Sequence, residues 1–103
     1  MSEKNQMLFD SLYQLICERK QEMPEGSYVT SLFQKGVDQI LKKIGEESAE
    51  VVIASKNDDR SELIWEIADL WFHTLVLMGW HEITPAEIFQ ELEKRHQAKS
   101  KPV

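Results

Sequence analysis

The sequence predicts an all-α fold, a bundle of about four helices, and three observations carry that expectation. Apolar residues recur at helical spacing through four segments. No stretch alternates with a period of two for long enough to form a strand. Glycine and proline are scarce, four and three residues, and mostly mark boundaries. A chain of 103 residues has the length of one domain, so residues 1–103 are read as a single unit.

The first helix is expected from about residue 5 to 22, where Leu8, Leu12, Leu15 and Ile16 recur at helical spacing. Pro24-Glu25-Gly26-Ser27 then reads as a loop. The second helix is expected from about residue 30 to 56, with an apolar stripe of Val37, Ile40, Leu41, Ile44, Val51 and Val52. Gly36 stands where a first short turn could break off, and Gly45 lies inside the pattern at a cost of about 1 kcal/mol against Ala. The third helix is expected from about residue 60 to 80, opened by Asp59 with Glu62 in the manner of a capping box. Its second half, Ala68 to Trp80, is apolar on nearly every side, as in a helix at the centre of a bundle. The fourth opens with Thr84-Pro85-Ala86-Glu87, an N-cap, a proline at N1 and a capping Glu, and runs to about residue 99. The tail from about residue 99 is expected to fray.

Composition excludes several classes of function. A net charge of −6 argues against a nucleic-acid binder and leaves room for an acidic site that holds cations. The single cysteine, Cys17, excludes an intrachain disulfide and an all-cysteine zinc cluster. The N-terminal residues lack a signal-peptide pattern, and no apolar run reaches the ~18 residues of a membrane span, so a cytoplasmic protein without a membrane partner is expected.

The chemistry is concentrated in Lys42-Lys43-Ile44-Gly45-Glu46-Glu47-Ser48-Ala49-Glu50 and in Glu66-Ile67-Ala68-Asp69. Each helix carries two carboxylates at i and i+3, hence on one side, where like charges repel. Asp69 is the sharper anomaly, because Ile67, Ala68, Leu70, Trp71 and Phe72 surround it in sequence. The polar turn Asn57-Asp58-Asp59 makes the second and third helices an antiparallel hairpin centred on Asp58. That register levels Glu50 with Glu66, Glu47 with Asp69, and Lys43 with His73. Four converging carboxylates must raise their pKa values or bind hard cations, and an all-oxygen donor set favours Mg²⁺ or Mn²⁺ over zinc. Such an ion suits phosphoanhydride chemistry, with Lys42, Lys43 and Arg95 as candidates to hold phosphate oxygens.

Each of these residues also has a plainer reading. Glu46 and Glu62 could be a solvated surface, Lys43 a simple i,i+4 partner of Glu47, and Arg95 an ordinary surface arginine. His73 is read as a packed histidine satisfied by a carbonyl in preference to an outer partner of the carboxylates. Trp65, Trp71 and Trp80 are read as core or interface residues. The di-iron carboxylate bundle is excluded, because Glu50 and Glu66 are followed three residues on by Ile53 and Asp69 where histidines are required.

Glu46-Glu47-Ser48-Ala49-Glu50 followed by Glu66-Ile67-Ala68-Asp69 resembles the signature of the MazG-like all-α nucleotide pyrophosphohydrolases. The chain is more closely similar to the phosphoribosyl-ATP pyrophosphatases of histidine biosynthesis. The similarity rests on Pro24-Glu25-Gly26-Ser27-Tyr28, Leu32-Phe33 with Gly36, Lys42 to Glu47, Glu50 to Ala54, Glu66 to Leu70 and His73. With Leu92 to Arg95 added, it covers nearly everything from Leu8 onward. The resemblance implies Mg²⁺-dependent hydrolysis of phosphoribosyl-ATP to phosphoribosyl-AMP and pyrophosphate. It implies Glu47, Glu50, Glu66 and Asp69 as metal ligands, with Glu46 as an additional ligand or base. It places Lys43 and the Ser27-Tyr28 loop against substrate, and implies a homodimer or higher homo-oligomer. At this length the free-standing form is expected, without the cyclohydrolase to which the family is sometimes fused. One departure stands out. The family commonly has Thr directly after Ser-Tyr, whereas this chain has Val29 and then Thr30, which could replace the hydroxyl or cap the helix. Two other functions remain open at this point: a house-cleaning nucleoside triphosphate pyrophosphohydrolase of the same fold, and a non-enzymatic helical interaction module.

Overall fold

The computed structural model describes residues 2–98, so the expected frayed tail lies outside the described residues. Among the described residues there are five helices and no strand: α1 (Glu3–Glu22), α2 (Tyr28–Lys35), α3 (Val37–Lys56), α4 (Arg60–His81) and α5 (Pro85–Gln97). The count exceeds the expected four because Gly36 adopts φ 97° and ψ 176°, a conformation that side chains disfavour. It closes α2 through its N–H to Leu32 O and opens α3, so what breaks off is a helix of eight residues.

Side-chain caps fix the other boundaries. Ser2 accepts from the Asn5 N–H at 3.2 Å, which starts α1 two residues before the expected position. Ser27 accepts from the Thr30 N–H at 3.2 Å, which likewise starts α2 at Tyr28. Asp59 accepts from the Glu62 N–H at 3.0 Å, and its own N–H turns back to Ala54 O, so only half of the expected capping box forms at α4. Thr84 and Glu87 complete a reciprocal box at α5, with Pro85 in the first turn.

The core is drawn from the first four helices: Ile16, Val29, Leu32, Phe33, Ile40, Leu75 and Val76 are buried together. Gly79 lets α1 approach α4 closely; a Cβ there would lie 3.1 Å from Ile16 Cγ2. Beside it the Lys20 ammonium donates to Gly79 O at 3.0 Å near the end of α4. α5 meets α1 through Phe9 and Phe89. α3 and α4 form the antiparallel hairpin about Asp58, which takes φ 55° in the turn.

Two expectations about packing need correction. α4 is not enclosed within the chain: Trp71 is 56% exposed and Trp65 67% exposed, while Trp80 stacks on Phe33. The α3 stripe is also incomplete, since Ile40 is buried but Leu41 and Val52 are exposed. Five helices in a chain of this size supply too few neighbours to surround a helix that is apolar on all sides.

Candidate active site

The hairpin brings carboxylates from both helices to one place. Glu47 of α3 and Glu66 and Asp69 of α4 each present an oxygen, and these oxygens lie within 4.8 Å of one another. Glu47 is 3% exposed and Glu66 6%, so two acidic side chains are nearly withdrawn from water. One oxygen of each, Glu47 Oε2 and Glu66 Oε2, is buried without a hydrogen-bond partner. A buried carboxylate oxygen lacking a donor is costly, and a cation bound among the three groups would remove that cost. The donor set is oxygen only and fits a hard divalent ion.

The electrostatics carry the mark of this crowding. The Glu66 carboxyl is pushed up to about 8, first by sharing a hydrogen bond with Glu50, then by burial, with Glu62 and Glu47 adding to the rise. Asp69 is also raised, chiefly by burial and then by the Glu47 charge, with His73 and Lys43 opposing. Glu50 lies outside the three-oxygen group and is solvent-exposed, but it is close enough to Glu66 to compete for a proton.

Lys43 stands beside the acids, its ammonium 3.4 Å from Glu47 Oε1 and 3.8 Å from Glu46 Oε1. Burial pulls its pKa down, but Tyr28, Glu47 and Glu46 together outweigh burial and hold it above the usual lysine range. Glu46 is therefore tied to the edge of the cluster by Lys43 and remains exposed. Lys42, the next residue on the helix, is exposed. Arg95 is not brought to the carboxylates: its Nε donates to Glu91 Oε2 at 2.9 Å on its own helix, and α5 packs chiefly on α1.

The first residue of α2 reaches the same place from another direction. The Tyr28 hydroxyl and His73 Nε2 are 2.7 Å apart, and His73 Nδ1 lies 2.8 Å from Asp69 O. His73 is thus satisfied by a carbonyl, as the sequence suggested, and also by a tyrosine that periodicity had not connected to it. The only signal available was that His73 follows Asp69 by one turn on the same ridge. Ser27 is committed to capping α2, while Tyr28 is 49% exposed. Val29, at the family's departure point, packs into the core, and Thr30 is buried there too, contributing a backbone N–H to the cap and leaving its own Oγ1 without a partner.

Comparison with known proteins agrees with this geometry. Residues 9–96 match the family described as phosphoribosyl-ATP pyrophosphohydrolase. A phosphoribosyl-ATP pyrophosphatase of Geobacter sulfurreducens is 50% identical over 95 residues, 92% of this chain and 87% of the relative. One from Pelotomaculum thermopropionicum is 49% identical over 100 residues, 97% of this chain and the full length of the relative. The histidine biosynthesis bifunctional protein HisIE of Bacillus subtilis is 51% identical over 89 residues, 86% of this chain but 43% of the relative. At that identity, sustained over nearly the whole length of free-standing relatives, the chain belongs to the phosphoribosyl-ATP pyrophosphohydrolase family.

Proposed function

We propose that this chain hydrolyses phosphoribosyl-ATP to phosphoribosyl-AMP and pyrophosphate in histidine biosynthesis, with Mg²⁺ as cofactor and Mn²⁺ as an alternative. Water adds across the bond between the α and β phosphoryl groups, one product taking its oxygen and the protons passing to the site or solvent. The observation that carries this reading is the pair of orphaned oxygens, Glu47 Oε2 and Glu66 Oε2, in a cluster shared with Asp69.

In this reading Glu47, Glu66 and Asp69 hold the ion, and Glu50 joins them by rotating its exposed carboxylate inward beside Glu66. A bound Mg²⁺ supplies charge neutralisation and polarises a phosphoryl oxygen. Lys43 holds phosphate oxygens at the edge of the cluster, and Lys42 adds a more distant positive charge. Glu46, exposed beside Lys43, accepts the proton of the attacking water. Tyr28 contacts the substrate, and Ser27 holds the loop that presents it. Arg95 reaches a substrate only if it leaves Glu91, an arrangement that a partner subunit could favour.

A homodimer is part of the same proposal. Val52, Ile53, Ile64, Trp65 and Trp71 are each more than half exposed on the hairpin, and large apolar side chains of this kind are what a second copy would cover. No helix among the described residues is long and apolar enough to cross a membrane. The kinship with enzymes of histidine biosynthesis supports a cytoplasmic location.

The test is release of pyrophosphate from phosphoribosyl-ATP during Mg²⁺ titration, alongside a panel of ordinary dNTPs. Turnover that requires the ion and favours phosphoribosyl-ATP is expected. Preference for the dNTPs would point to a house-cleaning enzyme, and absence of any turnover would point to a non-enzymatic module.

A further inference from the structure

The contact between α2 and α4 fixes more than the position of a tyrosine. His73 is 3% exposed, and its ring spans two partners of different character. On one side Nδ1 lies 2.8 Å from the backbone carbonyl of Asp69, an atom that can only accept. Nδ1 therefore carries the ring proton, and in the neutral ring Nε2 is left with a lone pair. The Tyr28 hydroxyl, 2.7 Å from Nε2, must then donate to it. The single phenolic proton is consumed inside the protein, and what Tyr28 can turn outward, from a side chain 49% exposed, is oxygen lone pairs. Edge-on packing of the ring against His73 and its stacking on Phe72 hold that orientation.

We propose that His73 is a positioning residue that converts Tyr28 into an oriented hydrogen-bond acceptor, so that Tyr28 recognises a donor on the nucleoside part of the substrate and not a phosphate oxygen. This rests on the reading of the site as a phosphoribosyl-ATP hydrolase. A phosphate oxygen is itself an acceptor and gains nothing from a tyrosine whose proton is already placed; a ribose hydroxyl or an exocyclic amine does. The division of labour is then spatial. Lys43 and the acids address the polyphosphate, and the Tyr28–His73 pair addresses the sugar or base.

The two products separate these roles experimentally. With Mg²⁺ present, Tyr28→Phe weakens phosphoribosyl-AMP binding about 5- to 10-fold and changes pyrophosphate binding less than about twofold, the size of one lost hydrogen bond. Equal weakening of both products would show Tyr28 donating to phosphate and would overturn the proposal. His73→Asn keeps a donor near the Nδ1 position but loses the acceptor, so it reproduces the Tyr28→Phe pattern, and the double variant is no worse than either alone. His73→Gln restores an acceptor where Nε2 stood and recovers phosphoribosyl-AMP binding, which a merely structural histidine would not do. Should the buried His73 variants fail to fold, the ¹⁵N spectrum of the wild-type histidines decides: the Nδ1–H tautomer is expected, with an Nε2 resonance that moves in Tyr28→Phe. An Nε2–H tautomer or an imidazolium overturns the proposal. An active wild type with the wrong tautomer defeats this inference alone; a wild type that leaves phosphoribosyl-ATP intact defeats the functional reading as well.

Discussion

The α3–α4 hairpin is inverted relative to ordinary proteins: it hides acids and displays tryptophans. Glu47 and Glu66 are 3% and 6% exposed, while Trp65, the immediate neighbour of Glu66, is 67% exposed. Successive helical positions lie about 100° apart, so α4 turns a carboxylate inward and an indole outward within one residue. Each choice is unfavourable in an isolated chain. The buried acids lack donors for two oxygens, and the exposed apolar surface meets water. In the proposed function a cation would occupy the inner side and a second copy of the chain would cover the outer side, so one helix would carry two surfaces with different remedies.

The largest expected effect breaks the inner surface. Asp69→Asn keeps the shape and removes the charge, and kcat/KM for phosphoribosyl-ATP should fall by about 10²- to 10³-fold or more while the oligomeric mass is unchanged. The outer surface should fail independently. Trp65→Glu places a charge in the proposed interface and should weaken dimerisation by about 30-fold or more, read by light scattering as a shift from twice 12.0 kDa towards 12.0 kDa. A variant that altered both mass and ion response would show that the two surfaces are coupled.

A smaller difference separates two adjacent lysines. Lys43 is tied to Glu47 at 3.4 Å and Lys42 is exposed, so Lys43→Ala should raise KM about tenfold and Lys42→Ala about twofold. The gentlest test uses pH. Glu66 has its pKa raised from the ordinary 4.5 to about 8. Between those values the native state keeps a proton that the unfolded chain has released, so the metal-free protein should lose stability as pH rises through that window and level off above it. Mg²⁺ should therefore raise the melting temperature more at pH 8.5 than at pH 6, and Glu66→Gln should flatten both trends. A melting curve indifferent to pH and ion would show that the inner acids are merely tolerated.

Local chemistry made much of this legible in the sequence. The three-residue turn and the helical repeat suffice to align Glu47 with Asp69, because both are short-range properties. The box at Thr84-Glu87 is local too, and it forms as the residues suggest. Burial is a different matter. Nothing in the repeat distinguishes Glu50 from Glu47, yet one is exposed and the other buried, since depth depends on which helices pack nearby. The Tyr28–His73 bond spans 45 residues and depends on the break at Gly36, which separates α2 from α3 so that α2 packs on α3 and α1, an arrangement that periodicity does not encode. Arg95 illustrates the same limit, since its side chain pairs within α5 and not across the fold.

The turn at Asn57-Asp58-Asp59 has a kinetic corollary. Because only three residues separate α3 from α4, the cluster can assemble by closing a small loop, which costs little chain entropy. Contacts of that kind favour rapid folding, whereas α1 must wait for the far end of α4 before Ile16 can settle against Gly79. The expected order is therefore the α3–α4 hairpin early and the contact between Ile16 and Gly79 later.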